Sequence, residues 1–71
     1  MDRQTVLDLI NHHSRLQIKH LDSRTDNLKT TDVSTLYLFV GENSIAIQIS
    51  SVGHFTIIPF RIIKSITPIS T

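Results

Sequence analysis

Apolar residues recur at two different periods along this chain, and the change of period divides it into a helix followed by short strands. Val6, Leu9, Ile10 and His13 fall three and four positions apart, with Leu7 beside them. That spacing predicts a helix over 3–13, apolar on one face, because residues at these intervals share a side of a 3.6-residue repeat. Asp2 stands where an N-cap belongs, and both Asp2 and Asp8 suit the positive end of the helix dipole. A helix this short does not persist alone in water, so its apolar face must lie on something.

After His13 the period falls to two. Arg15, Gln17 and Lys19 alternate with Leu16 and Ile18, which predicts a half-buried strand over 15–21. The segment 22–32 is polar, has neither Gly nor Pro, and offers Leu28 as its only large apolar residue. It reads either as a long loop or as a short irregular strand with Leu28 pointing inward. A strand over 34–40 follows from the β-formers Leu36-Tyr37-Leu38-Phe39-Val40. The turn residues Gly41-Glu42-Asn43-Ser44 then lead into a strand over 44–50, where Ile45, Ile47 and Ile49 alternate with smaller or polar residues. Gly53 centres the next turn, ahead of a strand over 54–58. Pro59 removes a ladder donor and marks a strand end or edge. Pro59 to Ile63 suits one tight turn, and 64–67 a last strand closed by Pro68.

Short strands with tight connections make a largely antiparallel sheet. The expected fold is therefore mainly β within an α+β class. One N-terminal helix is followed by a strongly bent antiparallel sheet that closes as a small barrel to protect its edges. The expected core is Val6, Leu9, Ile10, Leu16, Ile18, Leu36, Leu38, Val40, Ile45, Ile47, Ile49, Ile57, Ile63 and Ile66.

Seventy-one residues make a single domain, 1–71, with a marginal core of its own. The chain has no cysteine, which excludes disulfides and thiolate metal sites. Oligomerisation or an efficient β core is left as the source of stability. Seven Lys and Arg against six Asp and Glu exclude a strongly basic tail and an acidic mimic of nucleic acid. The distribution is less even. No acid occurs from Leu9 to Leu21 or from Asn43 to Thr71, so Arg15, Lys19, Arg61 and Lys64 make a modest basic face if those regions meet. The N-terminus lacks the continuous apolar run of a secretory peptide, and 43–60 is too polar for a bilayer helix. A soluble, cytoplasmic protein is expected, with no membrane partner.

The order of elements, and the run Ile57-Ile58-Pro59-Phe60-Arg61-Ile62-Ile63-Lys64-Ser65-Ile66-Thr67-Pro68, resemble the Sm-like fold and in particular the bacterial RNA chaperones called Hfq. Members of that family open with a short helix and continue into a five-strand barrel. Ile63 and Ile66 would take the family's two core positions around its last turn, and Pro68 its closing proline. The chain departs from the pattern where the family's Tyr-Lys-His run falls on Pro59-Phe60-Arg61, and where its Asn-Gly turn has no counterpart in 22–32. The resemblance implies a six- or seven-membered ring binding single-stranded RNA, with no cofactor. Tyr37 and Phe39 would stack bases, and Arg15, Lys19, Arg61 and Lys64 would hold phosphates.

A function of another class fits the same residues. A non-catalytic protein-interaction module, such as a small phage- or plasmid-encoded regulator or inhibitor, would use the edge of an Ile-rich sheet. Its candidate contacts are the His12-His13 helix end, Tyr37 and Phe60. Enzymatic chemistry has little to stand on: there is no nucleophile elbow, no paired-carboxylate pattern and no phosphate-cradling Gly loop. His12, His13, His20 and His54 match no metal-ligand spacing.

Overall fold

A computed structural model describes residues 1–22 and 24–69. Its elements run α1 (Arg3–His12), β1 (Arg15–Leu21), β2 (Leu28–Ser34), β3 (Leu38–Val40), β4 (Ser44–Gln48), β5 (Phe55–Pro59) and β6 (Ile63–Pro68). Single 3-10 turns, Thr35–Tyr37 and Phe60–Ile62, separate β2 from β3 and β5 from β6. The class is α+β, as expected. The single bent sheet is not what forms. There are two three-stranded antiparallel sheets, ordered β2-β1-β6 and β3-β4-β5, and neither closes on itself.

The helix starts where its cap predicts. Asp2 Oδ1 accepts the Thr5 N–H at 2.8 Å, which satisfies one of the donors a helix N-terminus leaves free. The same hydrogen bonds hold the Asp2 carboxyl below its ordinary pKa. Val6 is fully buried, with Leu9 and Ile10 packed partly against the core, as α1 lies across β1 and β3 and so touches both sheets.

The first sheet includes a strand that the polar pattern of 22–32 left ambiguous. β2 pairs with β1 from Arg15↔Ser34 to Leu21↔Leu28. The connection between them needs no Gly or Pro. Asp22 accepts the Arg24 N–H on its side chain at 2.9 Å, the Asp22 N–H donates to Asn27 O at 2.8 Å, and Asp26 adopts a φ of 57°. Asp tolerates that left-handed geometry better than most residues. Ser23, in the same segment, lies outside the described residues. Leu28 turns outward, because the residue that meets Leu16 on the buried side is Val33.

Three residues of the expected core are exposed, each because of local register. Leu36 sits in the first 3-10 turn, which breaks the alternation expected over 34–40, and is 80% exposed. β4 stops at Gln48, so Ile49 enters the turn, where its N–H donates to His54 O at 2.9 Å, and stays 63% exposed. In β5 the buried isoleucine is Ile58, paired with Ile45, whereas Ile57 pairs with Ala46 on the outer face. The core that forms is Val6, Leu16, Ile18, Val33, Leu38, Ile45, Ile47, Ile58, Ile63 and Ile66, with Val40, Phe60 and Ile62 partly buried against it.

One polar residue joins this core. His20 is 7% exposed and hydrogen-bonded at both ring nitrogens: Nδ1 to Leu21 O at 3.1 Å and Nε2 to Thr31 Oγ1 at 3.0 Å. A carbonyl can only accept, so Nδ1 donates to it, and in the neutral ring Nε2 then accepts from the threonine hydroxyl. His20 lies where the β1–β6 register shifts, opposite Ile63.

Candidate interaction surfaces

Strand alternation gives each sheet an outer face, and the two faces differ in chemistry. On the first sheet, cross-strand register places Arg15, Gln17 and Lys19 of β1 outward with Thr30, Asp32 and Ser34 of β2 and Ser65 and Thr67 of β6. The bulge at Lys19/His20 leaves Lys64 exposed beside Ser65. The pairing thus gathers Arg15, Lys19 and Lys64 onto one polar face, with Asp32 opposite Gln17 between the first two. Three of the expected phosphate-holding residues do come together.

On the second sheet, Phe39, Ala46 and Ile57 form one cross-strand row, and Gln48↔Phe55 the next. Phe39 is 49% exposed, Phe55 46% and Ile57 59%. The rings of Phe39 and Phe55 meet edge to face across the small Ala46 side of β4, with centroids 5.7 Å apart. No Lys, Arg, Asp or Glu occurs in β3, β4 or β5. Phe39 was expected to stack bases beside cations. It is exposed, but its neighbours are apolar.

The other two expected site residues lie elsewhere. Tyr37 ends the first 3-10 turn and, with Gln48, Ile49, Ser50 and Ser51, lines a shallow hollow of about 420 Å³. There Ser50 Oγ is buried without a hydrogen-bond partner, although its carbonyl accepts from Gln48 Nε2 at 3.0 Å. Arg61, in the second 3-10 turn, shares an open cavity of about 600 Å³ with Met1, Asp2, Arg3, Glu42, Asn43 and Phe60. Arg3 was not singled out by the pattern of the sequence, since only folding brings the helix start beside Phe60-Arg61. Cations and carboxylates are nearly balanced around that cavity.

A third hollow, of about 360 Å³, runs beside β5. Thr56 to Pro59 form one wall, with His20, Leu21, Asp22, Asp26, Lys29 and Arg61 among the others. Lys29 Nζ stands 3.9 Å from Asp22 Oδ2, so part of that charge is paired. Among the described residues no three His, Asp or Glu side chains converge to hold a metal ion. His12 Nδ1 is taken up by Asp8 O at 2.7 Å, and His20 as above. No helix among the described residues is long and apolar enough to cross a membrane. No protein-family model, no curated protein and no solved structure matches the chain.

Proposed function

We propose that the chain is a non-catalytic interaction module whose working surface is the outer face of the second sheet, and that its partner is another apolar protein surface. The observation that carries this is the separation of aromatics from cations. Phe39, Phe55 and Ile57 stand exposed on strands with no charged side chain, whereas Arg15, Lys19 and Lys64 stand on the other sheet. Single-stranded RNA needs both kinds of group along one path, because stacking holds the bases while cations hold the backbone. A contiguous exposed apolar patch is what a protein contact requires.

The small SH3-like or Sm-like barrel remains our reading of the architecture. It is supported by two connections: β2 to β3 and β5 to β6, each through a single 3-10 turn. At both corners the chain passes from one sheet to the other, as strands do where a barrel bends.

The test compares the wild-type chain with Phe39→Ser combined with Phe55→Ser as bait for protein partners, across a range of salt. Partner retention that survives high salt and is lost in the double variant is the expected result. Retention that is sensitive to ribonuclease and falls steeply between about 50 and 200 mM salt would overturn it. That outcome would favour the second reading, binding of single-stranded RNA as an Sm-like protein does, with the ring itself to be read from the mass in solution. Its specific support is the β1–β6 pairing that brings Arg15, Lys19 and Lys64 onto one face.

A further inference from the structure

The free edge of β5 has a hydrogen-bonding pattern that complements itself. In an antiparallel ladder, alternate residues turn their backbone N–H and C=O toward the neighbouring strand and the rest turn away. Phe60 N–H donates to Asn43 O at 2.9 Å and Ile49 N–H to His54 O at 2.9 Å, and the β4–β5 register between them is unbroken. Thr56 and Ile58 therefore face β4. Phe55, Ile57 and Pro59 face the open edge, since β5 is the last strand of its sheet. Proline has no N–H. The edge thus offers two donors, on Phe55 and Ile57, and three acceptors, on Phe55, Ile57 and Pro59.

From this pattern we infer that β5 pairs with β5 of a second copy, antiparallel, about a twofold axis at Ile57. In that register each Ile57 N–H donates to the other copy's Ile57 carbonyl, and each Phe55 N–H to the other's Pro59 carbonyl. Every free donor is used, and the one bond missing from the ladder is that from position 59 to the other copy's Phe55 carbonyl, because proline has no N–H. The side chains brought opposite one another are Ile57 with Ile57 and Phe55 with Pro59. Charge permits the same symmetry, because a twofold axis sets like against like and β5 carries none, while the charged side chains lining the hollow beside it are two of each sign, Asp22 and Asp26 with Lys29 and Arg61. Edge strands that avoid association carry charges. β2 has Lys29 and Asp32, β6 has Lys64, and the uncharged β3 is only three residues long, but the five-residue β5 has only Pro59 as a guard. The product is a six-stranded sheet whose outer face joins the two Phe39–Phe55–Ile57 patches. The occupant of the hollow beside β5 is then the second copy's strand. This inference rests on the protein-interaction reading and specifies a partner for the same sheet.

The native chain has no cysteine, so single-cysteine variants report proximity cleanly. Facing residues of a hydrogen-bonded antiparallel pair lie about 5.5 Å apart at Cα, within reach of a disulfide. I57C is expected to crosslink to itself on mild oxidation, whereas T30C on the β2 edge is expected not to. Light scattering is expected to give twice the chain mass of 8.1 kDa, and I57K, at a side chain already exposed, one chain mass with unchanged far-UV circular dichroism. A wild-type monomer at every concentration, or a ring-sized mass, would overturn the pairing. Equal crosslinking of I57C and T30C would overturn it as well. A monomer that still retains a protein partner through Phe39 and Phe55 would sink the self-pairing alone. Dimer formation with no such retention would instead remove the separate partner.

Discussion

Outward from the first sheet point Arg15, Gln17, Lys19, Thr30, Asp32, Lys64 and Thr67, with the apolar pair Leu21 and Leu28 at one end; outward from the second point Phe39, Ala46, Phe55 and Ile57, with Gln48 beside Phe55. Inward, the two sheets are alike, with Leu16, Ile18, Val33, Ile63 and Ile66 on one and Leu38, Ile45, Ile47 and Ile58 on the other. Half-buried antiparallel sheets ordinarily alternate apolar-in with polar-out, and the first sheet obeys that rule except at its Leu21–Leu28 end. The second does not. Fold stability requires only the inner residues, so an outer row of exposed aromatics answers to something other than folding of the isolated chain. The contrast, more than any single residue, is what supports placing the proposed contact on the second sheet.

The sharpest way to break this comparison is to truncate one isoleucine on each side of the second sheet. Ile45 is completely buried, so Ile45→Ala is expected to cost about 2–5 kcal/mol, much of what so small a domain has. Ile57→Ala, on a strand next to it, is expected to stay within about 0.5 kcal/mol of wild type when both are titrated below the concentration at which β5 pairs with a second copy. Urea titrations followed by circular dichroism measure both. Similar losses at the two sites would mean that the outer face is covered within the folded unit, and the surface proposed here would not exist.

Next in size is His20, the one polar member of the core among the described residues. His20→Ala removes its packing and leaves the Thr31 hydroxyl and Leu21 carbonyl without their ring partner, at a cost of about 1–3 kcal/mol. Thr31→Val should lose less, since the Nδ1 bond to Leu21 remains. If His20→Ala unfolded at the wild-type urea midpoint, the buried geometry of this corner of the first sheet would be wrong.

How far the sequence foretells this contrast depends on which signal carries it. The helix, β1 and the tight turn before β6 follow from period and capping, and the structure has them. β2 was obscured because its outward positions are polar and its turn is made by Asp22 and Asp26 rather than by glycine. The cluster Asp22, Asp26 and Asn27 was the available sign of a turn. In the run Phe55-Thr56-Ile57-Ile58, apolar residues occupy both faces, so alternation does not say which isoleucine is inside. Register with β4 decides that, and register is a tertiary property. The same ambiguity hid part of the exposed face: Ile57 looks like core in a sequence because such residues usually are, whereas Phe39, expected on the surface as a base-stacking residue, is exposed but among apolar neighbours. The gathering of Arg15, Lys19 and Lys64 needed the β1–β6 pairing, although their acid-free surroundings hinted at it.

Removing charge from the first sheet is expected to leave stability almost untouched. Arg15→Ala with Lys19→Ala replaces two exposed side chains that form no ion pair among the described residues, so the change should lie within about 0.5 kcal/mol. Partner retention through the second sheet should be unaffected. The informative readout is titration of labelled single-stranded RNA against both proteins. Equal, weak binding keeps the two faces functionally distinct. A large loss in the double variant would move the working surface to the first sheet and restore the RNA-binding ring.

The smallest expected effect concerns the helix that spans both sheets. Asp2 caps α1 through the Thr5 N–H, and that bond holds its carboxyl below the ordinary value. A lowered carboxylate pKa stabilises the folded form above the unfolded-state value, about 3.9, and the contribution disappears as pH falls through the lowered one. Acidification through this window should therefore loosen the first turn of α1 in the wild type but not in Asp2→Ala, which has lost the cap at every pH. Asp2→Asn should keep most of the capped helix and also lose the pH response, because an amide accepts the same bond without titrating. Amide exchange at Thr5 and Val6 resolves the three proteins. Because α1 touches β1 and β3, exchange in both strands should rise together if the helix couples the sheets. A response confined to β1 would show that the second sheet, with its apolar outer face, holds together without the helix.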